Sequence, residues 1–302
     1  MAMTVARAQL PELPLTNLCY IFTIVFRSIY HRNMPGDILF STIERYQGDK
    51  PWGRVLDAGT GLNSVKWLNS IGCRDWLGIT ADKRMKENVV REAKLDSVQS
   101  DSLVVGNWMD EGFCSTLGKF DTIVADYLFG AVDGFSPYNQ DIILRKMRQH
   151  LNPGGVLYVI GMYPIPDHAN GPAEIITEIR RARDACILLA GHRPYREYPS
   201  EWIIRHLQQD GFEVKKSRSF SILHSKESAV RQIRVARSKL ELMESGAIRG
   251  GMQLYLEELE TRVEDAMDET ENGNIPLSHD YVLMATIPEG QASNLESVFE
   301  SA

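Results

Sequence analysis

Short apolar runs alternate with longer amphipathic stretches from Gly53 to Ile160. The runs have the length of buried strands, and the stretches between them repeat apolar residues at helical spacing. This alternation predicts an α/β domain with a doubly wound, mostly parallel sheet and helices on both of its faces. Five strands are expected in this range: at 54–57, at 77–82, within 103–108, at the start of 120–129 and within 151–160.

The pattern changes after the fifth strand. A loop rich in turn-forming residues, 164–172, precedes a helical pattern over 173–189. A sixth strand is expected at 212–223 and a last one at 281–286, with two helical stretches between them. The sequence therefore predicts seven strands, with helical insertions after strands 5 and 6 at about 164–199 and 225–275.

The two ends of the chain differ from this central domain, 51–288. Residues 1–50 predict an N-terminal helical cover over the cleft, and residues 289–302 a flexible polar tail. The apolar run 18–26 is shorter than the roughly 20 residues of a membrane span. Because no small-residue cleavage site follows this run, a signal peptide is not expected, and neither is membrane association.

Charge and cysteine usage narrow the functional classes. The chain of 302 residues carries a formal net charge of −7, whereas nucleic-acid binders usually present a basic face. Its 4 cysteines form no C-x-x-C pair, which is typical of reduced thiols and a cytoplasmic protein. No H-x-x-x-H or paired-carboxylate spacing suggests metal ligands. A soluble enzyme without a bound metal and without a nucleic-acid partner is therefore expected.

A glycine turn follows the first strand. Asp57 is followed by Gly59 and Gly61, and a helical pattern begins directly after them. Glycine permits a sharp turn and close approach of a ligand, and the helix start presents unpaired N–H groups to it. The third glycine of the dinucleotide fingerprint is absent, as is a phosphate-binding loop. The turn thus predicts a nucleotide-type site at the end of the first strand, with an ordinary glycine turn as the alternative.

The segment 55–61, V-L-D-A-G-T-G, resembles the first motif of class I S-adenosylmethionine-dependent methyltransferases. Three further segments resemble later motifs of that family in the same order: 103–108, 120–129 with F-D-T-I, and 151–160 with L-N-P-G-G. The resemblance spans roughly residues 50 to 165. It implies the class I (Rossmann-like) fold and S-adenosyl-L-methionine as the cofactor.

The resemblance also implies roles for particular residues. The glycine turn would pass beneath the methionine part of the cofactor, and Asp82 or Thr80 would hold the ribose. Asn107 would meet the purine edge, and Trp108 would pack on its face or serve as a core tryptophan. Asp126 would face the transferable methyl group. The full set of expected cofactor-binding residues is Asp57, Gly59, Thr60, Gly61, Thr80, Asp82, Asn107, Trp108 and Asp126.

Weaker signals in the sequence indicate the residues that would bind the methyl acceptor. Aromatic residues could form a box for an amine or a sulfonium, and Asp126 and Asp133 could hold a cationic nitrogen. Arg193 and Arg196 could clamp a substrate carboxylate or cap a helix end. The amine-methylating motif D/N-P-P-Y is absent after Asp126, which leaves the nucleophile open. Candidate bases and orienting groups are Tyr127, Tyr138, Tyr163, His168 and His192, and each histidine could equally be a solvated loop residue.

The predicted function is methyl transfer to an N, O or S nucleophile of a small molecule by in-line displacement. Two alternatives remain. The chain could methylate a protein that docks on the helical insertion after strand 6. It could also be a cofactor-binding partner subunit without activity, which uses its insertions to form a homodimer.

Overall fold

The computed structural model describes residues 37–270 and 272–288. Most of the predicted N-terminal cover, including the apolar run 18–26, and the predicted tail 289–302 lie outside this range. The described end of the cover, Ile38–Gln47, is a helix whose apolar side packs on one face of the sheet. Its Gln47 side chain accepts a hydrogen bond from Tyr158 in the middle of that sheet, at 2.7 Å.

The sheet has seven strands in the order β3-β2-β1-β4-β5-β7-β6. Among the described strands, only β7 runs antiparallel to its neighbours, β5 and β6, so the predicted mostly parallel, seven-stranded sheet is confirmed. The strands are β1 Val55–Asp57, β2 Trp76–Thr80, β3 Leu103–Val105, β4 Phe120–Asp126, β5 Leu151–Met162, β6 Glu213–Ser225 and β7 Asn274–Thr286.

Helices connect the strands and cover both faces of the sheet. In the described ranges they are α1 Ile38–Gln47, α2 Leu62–Ser70, α3 Lys83–Glu92, α4 Ser97–Asp101, α5 Glu111–Cys114, α6 Leu128–Val132, α7 Gln140–His150, α8 Glu174–Leu189, α9 Ser200–Gln209, α10 Lys226–Arg237 and α11 Gly246–Asp268. Within these ranges, no helix combines the length and the apolar character that a membrane span requires.

Strand β5 shows why the sheet is buried on both faces. Its residues Leu157 and Val159 belong to one hydrophobic core, whereas Tyr158 and Ile160 belong to another on the opposite face. Side chains alternate between faces along a strand, so a continuous apolar run supplies both cores. This continuous pattern is what made β5 recognisable in the sequence.

The last strand is longer than predicted. The expected strand 281–286 forms only the second half of β7, which begins at Asn274. The first half contains Pro276, and Ser278 has a positive φ of 66° where the pairing with β6 shifts register. A proline and a bulge interrupt the apolar alternation that marks a strand. Pairing with β6 nevertheless extends to Ser225 opposite Asn274.

Both helical insertions are present and they pack together. Helix α8 follows β5, and α10 and α11 lie between β6 and β7. They share a third hydrophobic core, beside the two that cover the faces of the sheet. This core includes Ile179, Ile233, Leu256 and Leu259. We call α8, α10 and α11 the helical layer. The packing of three helices explains why both insertions are amphipathic.

Candidate active site

A cavity of about 350 Å³ lies at the carboxyl ends of β1, β2, β3 and β4. The chain runs outward from β1 to β3 and then returns to β4 beside β1, so the cavity lies where the strand order reverses. Open α/β sheets bind their ligands at this point. The cavity is lined by Ala58, Gly59, Thr60, Gly61, Leu62, Asn63, Lys66, Ile79, Thr80, Ala81, Asp82, Met85, Gly106, Asn107, Trp108, Asp126, Tyr127, Leu128, Ala131, Val132, Phe135, Ser136, Ile143, Tyr195 and Glu197.

The glycine turn after β1 forms one wall of the cavity. Thr60 fixes the turn because its hydroxyl donates to the Asp57 carbonyl at 3.0 Å and its N–H donates to the Ile79 carbonyl at 2.7 Å. A Cβ on Gly59 would lie 2.9 Å from Cδ1 of Leu128, so the turn packs closely against the start of α6. Helix α2 begins just after Gly61, and its N-terminus faces the cavity.

Asp82 stands at the rim of the cavity, at the end of β2. Its Oδ1 accepts a hydrogen bond from the Met85 N–H at 3.0 Å and thereby caps α3. The cap holds the carboxylate in place beside Thr80, which also lines the cavity. Both residues expected to hold a ribose therefore lie at the same wall, and only Asp82 carries a charge there.

Asn107 and Trp108 line the cavity after β3. The amide oxygen of Asn107 accepts from the Met109 N–H at 2.9 Å, so its NH₂ is the group available to a ligand. The Trp108 indole N–H donates to the Ala58 carbonyl at 2.8 Å, and its ring is only 5% exposed. Trp108 thus belongs to the core and contributes a surface to the cavity as well.

The end of β4 supplies Asp126 and Tyr127. Tyr127 has a left-handed backbone with φ of 48°, a conformation that costs a non-glycine residue about 1 kcal/mol or more. Its hydroxyl donates to Oδ1 of Asp280 at 2.6 Å, and its N–H donates to the Ile160 carbonyl. These contacts hold the phenol at the cavity wall and link it to β7.

The cavity wall also contains two residues that the sequence did not indicate as ligands, Tyr195 and Glu197. They come from the loop between α8 and α9 and press against α6 and the turn after it. A Cβ on Gly130 would lie 2.5 Å from Oε1 of Glu197, and a Cβ on Gly134 would lie 2.7 Å from Cε1 of Tyr195. Two glycines, four residues apart, therefore make room for this loop.

The Glu197 side chain lines the cavity and is partly buried. Burial raises its pKa to about 8, nearby Asp280 adds to the rise, and Arg183 opposes it. A glutamate in a polar loop has no sequence pattern that separates it from a surface residue. The one available signal was its position between Tyr195 and Tyr198, two aromatic residues in a loop that follows an insertion.

Among the expected catalytic residues, the structure places Tyr127 at the cavity and the other four elsewhere. Tyr138 is 77% exposed, and the Arg193 guanidinium lies over its ring. Tyr163 donates to Glu201 at 2.9 Å. His168 is exposed, and burial lowers the pKa of the partly buried His192. None of these four contributes to the cavity wall in the described structure.

Asp133 and Arg193 form an ion pair with each other. Nε of Arg193 lies 2.9 Å from Oδ2 of the buried Asp133, and Gln140 donates to the other carboxylate oxygen. The pair lies outside the cavity wall, and Arg196 is exposed. Of the two aspartates expected to hold a cationic nitrogen, the structure brings only Asp126 to the cavity.

Within residues 37–270 and 272–288, no group of three or more histidine, cysteine, aspartate and glutamate side chains could hold a metal ion. The polar groups that line the described cavity include carboxylates, phenols, amides, hydroxyls, a lysine and a helix N-terminus.

Comparison with known proteins gives a match at the level of structure only. No protein-family model and no curated protein matches the sequence. A Bacillus halodurans protein provisionally assigned as a methyltransferase superposes with a TM-score of 0.50, at 14% identity, over 82% of this chain and 98% of that one. The protein has the class I methyltransferase fold.

Two further solved structures are similar at lower scores. Coclaurine N-methyltransferase, bound to N-methylheliamine and S-adenosylhomocysteine, matches with a TM-score of 0.48, 16% identity and coverage of 82% and 70% of the two chains. A methyltransferase from Thiobacillus denitrificans in complex with S-adenosylhomocysteine matches with a TM-score of 0.45, 14% identity and coverage of 89% and 98%. At 14% identity, the likeness to the Bacillus halodurans protein establishes the fold and not the reaction.

Proposed function

We propose that this protein transfers a methyl group from S-adenosylmethionine to an N, O or S nucleophile of a small molecule. The observation that supports the proposal best is the composition of the cavity wall. In a class I methyltransferase fold, the glycine turn, the N-terminus of α2 and Asp82 line one cavity at the ends of β1 to β4. These groups suit an amino-acid part and a ribose on one ligand.

The residues present fit the cofactor piece by piece. The turn Gly59–Gly61 and the start of α2 would hold its methionine part, with Lys66 close by. Asp82, with Thr80, would accept hydrogen bonds from the ribose hydroxyls. The Asn107 amide and the Trp108 ring would contact the adenine. When bound, S-adenosylmethionine would supply a methyl group on a positively charged sulfur, which is already activated for displacement.

The protein's own task is to position the acceptor and exclude water. Tyr127 and Leu128 at the start of α6, and Tyr195 and Glu197 from the loop after α8, line the acceptor end of the cavity. A concave cavity of about 350 Å³ suits a small molecule better than a folded protein as the acceptor. The Tyr127 hydroxyl is hydrogen-bonded to Asp280, and Thr60 fixes the backbone of the glycine turn. Both contacts hold the cavity wall in place before the ligand arrives.

Thermal unfolding with and without S-adenosylmethionine tests the cofactor assignment. At a concentration about 100 times Kd, binding should stabilise the protein by about 2.7 kcal/mol, whereas ATP and NAD should give no comparable shift. Gly59→Val should remove the stabilisation while circular dichroism shows the fold retained, because the added side chain would meet Leu128. Gly250→Ala, in open space on α11, is the matched control and should keep it.

Release of S-adenosylhomocysteine in the presence of amines, alcohols and thiols tests the activity. Methylated product, identified by its mass, is expected for at least one class of acceptor. Cofactor binding without product across all three classes would favour the non-catalytic alternative. Methylation of a protein substrate, but of no small molecule, would favour the docking alternative.

A further inference from the structure

Glu197 is the least expected group in the cavity. It comes from the loop between α8 and α9 and packs on α6, in the part of the cavity where the proposed function places the acceptor rather than the cofactor. In the part of the chain that the structure describes, no hydrogen-bond donor holds its carboxyl group. A partly buried carboxyl that lines a cavity without such a donor can accept hydrogen bonds from a ligand there.

The fold makes specific room for this side chain. Gly130 lies in α6, and a Cβ at that position would fall 2.5 Å from one carboxyl oxygen and 2.6 Å from the other. Any other residue at 130 would push the Glu197 carboxyl away from its present position. Glycine is also a poor helix former, so its presence inside α6 costs helix stability and is explained by this close approach.

Carboxylates predominate among the charged side chains of the cavity wall, and Arg183 of α8 lies near one of them, Glu197. The charged residues of the cavity wall are Lys66 beside the glycine turn and three carboxylates, Asp82, Asp126 and Glu197. Asp280 lies behind the wall, bonded to the Tyr127 hydroxyl. Aromatic rings of Tyr127, Tyr195 and Phe135 line the same side. Carboxylates together with aromatic rings form a site for a cation.

We propose that Glu197 binds the protonated nitrogen of a small primary or secondary amine, the methyl acceptor, and removes its proton. This rests on the proposed methyl transfer. An N–H proton passes from the ammonium to a carboxylate oxygen of Glu197. The freed nitrogen lone pair forms the N–CH₃ bond as the C–S bond of the sulfonium breaks, and that electron pair stays on sulfur. The products are a methylated ammonium and a neutral thioether.

Proton linkage supports this role. The raised pKa means that the carboxyl holds a proton near neutral pH in the empty cavity. An arriving ammonium compensates the negative charge, so the carboxyl releases that proton on binding. The titratable and charged groups that face it, and that contribute to the same equilibrium, are Asp126 and Tyr127 at the end of β4, Arg183 on α8, Tyr195 in its own loop, and Asp280 and Tyr281 on β7.

The test uses calorimetry on the full chain loaded with S-adenosylhomocysteine, so that no turnover occurs. The probes are benzylamine and phenethylamine, each paired with its alcohol. The amines should bind at least about 10-fold more tightly than the alcohols, since a charge-assisted contact adds about 1.5 kcal/mol or more. At pH 6.5, about one proton per amine should be released, as measured in buffers of different ionisation enthalpy.

Two variants sharpen the result. Glu197→Gln should weaken amine binding about 10-fold or more and abolish proton release, and it should lower kcat/KM for an amine about 100-fold. Gly130→Ala should act in the same direction because the new Cβ displaces the carboxyl. Glu213→Gln, an exposed glutamate on β6, is the matched control and should change nothing.

The outcomes separate the two proposals. If the wild-type protein does not bind S-adenosylhomocysteine, the proposed function fails and this inference falls with it. If it binds S-adenosylhomocysteine but binds alcohols as tightly as amines, only the inference about Glu197 is overturned. Unchanged amine affinity and proton release in Glu197→Gln would overturn it as well.

Discussion

At the scale of single residues, the stability of the protein should depend on pH through Glu197. Its pKa rises from an ordinary value of 4.5 to about 8 in the folded chain, so the folded state keeps a proton that the unfolded chain releases. This contribution is complete below about pH 4.5 and is lost as the pH rises through 8. Between these values, stability should fall by about 1.4 kcal/mol per pH unit.

Glu197→Gln isolates this effect because other groups titrate equally in both proteins. Denaturant unfolding of the two proteins from pH 5 to pH 9 measures the difference. The variant should become progressively more stable relative to the wild type as the pH rises. A constant difference across that range would show that the carboxyl is not buried in the folded protein.

At the scale of single elements, Asp82 serves both a helix and the cavity, and these two roles can be separated. Asp82→Ala removes the cap of α3, which should cost about 1 kcal/mol of stability, and it also removes the carboxylate proposed to hold the ribose. Asp82→Asn should retain the cap, because asparagine caps helices as well as aspartate does. Both variants should bind S-adenosylhomocysteine at least about 10-fold more weakly.

Asp96→Ala is the matched control, because Asp96 caps α4 and lies outside the cavity wall. It should lose stability without losing affinity for S-adenosylhomocysteine. Chemical denaturation and calorimetry measure the two quantities independently. If Asp82→Asn bound as tightly as the wild type, the carboxylate would have no part in holding the ribose.

A strand could be predicted from the sequence where its own residues carry the apolar pattern, and not where pairing with a distant strand defines it. Strands β1, β4 and β5 are continuous apolar runs bounded by glycine or aspartate, and short motifs mark each of them in the sequence. Half of β7 was missed because its pairing with β6 carries it past Pro276 and a bulge. Backbone pairing with a distant strand leaves no periodicity in the residues themselves.

At the scale of the whole molecule, one part of the cavity wall has local signals in the sequence and another part has none. The side formed by the glycine turn, Asp82 and Asn107 follows strand ends directly, and short motifs mark it in the sequence. Another part of the wall depends on a loop beyond α8 that meets α6 through Gly130 and Gly134. Nothing local relates Glu197 to Gly130, so the sequence suggested nearby tyrosines and histidines instead.

The helical layer has its own core, and we expect it to support stability without shaping the cofactor site. Leu259 is fully buried among α8, α10 and α11, and the layer contributes Tyr195 and Glu197 to the cavity only through the loop after α8. Leu259→Ala should therefore cost about 2–5 kcal/mol of unfolding free energy. Leu254→Ala, on the same helix but 69% exposed, should change stability by less than about 0.5 kcal/mol.

Under conditions where both variants are folded, both should bind S-adenosylhomocysteine within about 2-fold of the wild type, because distant sites without shared contacts act independently. Calorimetry and denaturant unfolding on the same samples measure both quantities. A large loss of cofactor affinity in Leu259→Ala alone would mean that the layer positions the site, and it would then have to be treated as part of the catalytic structure.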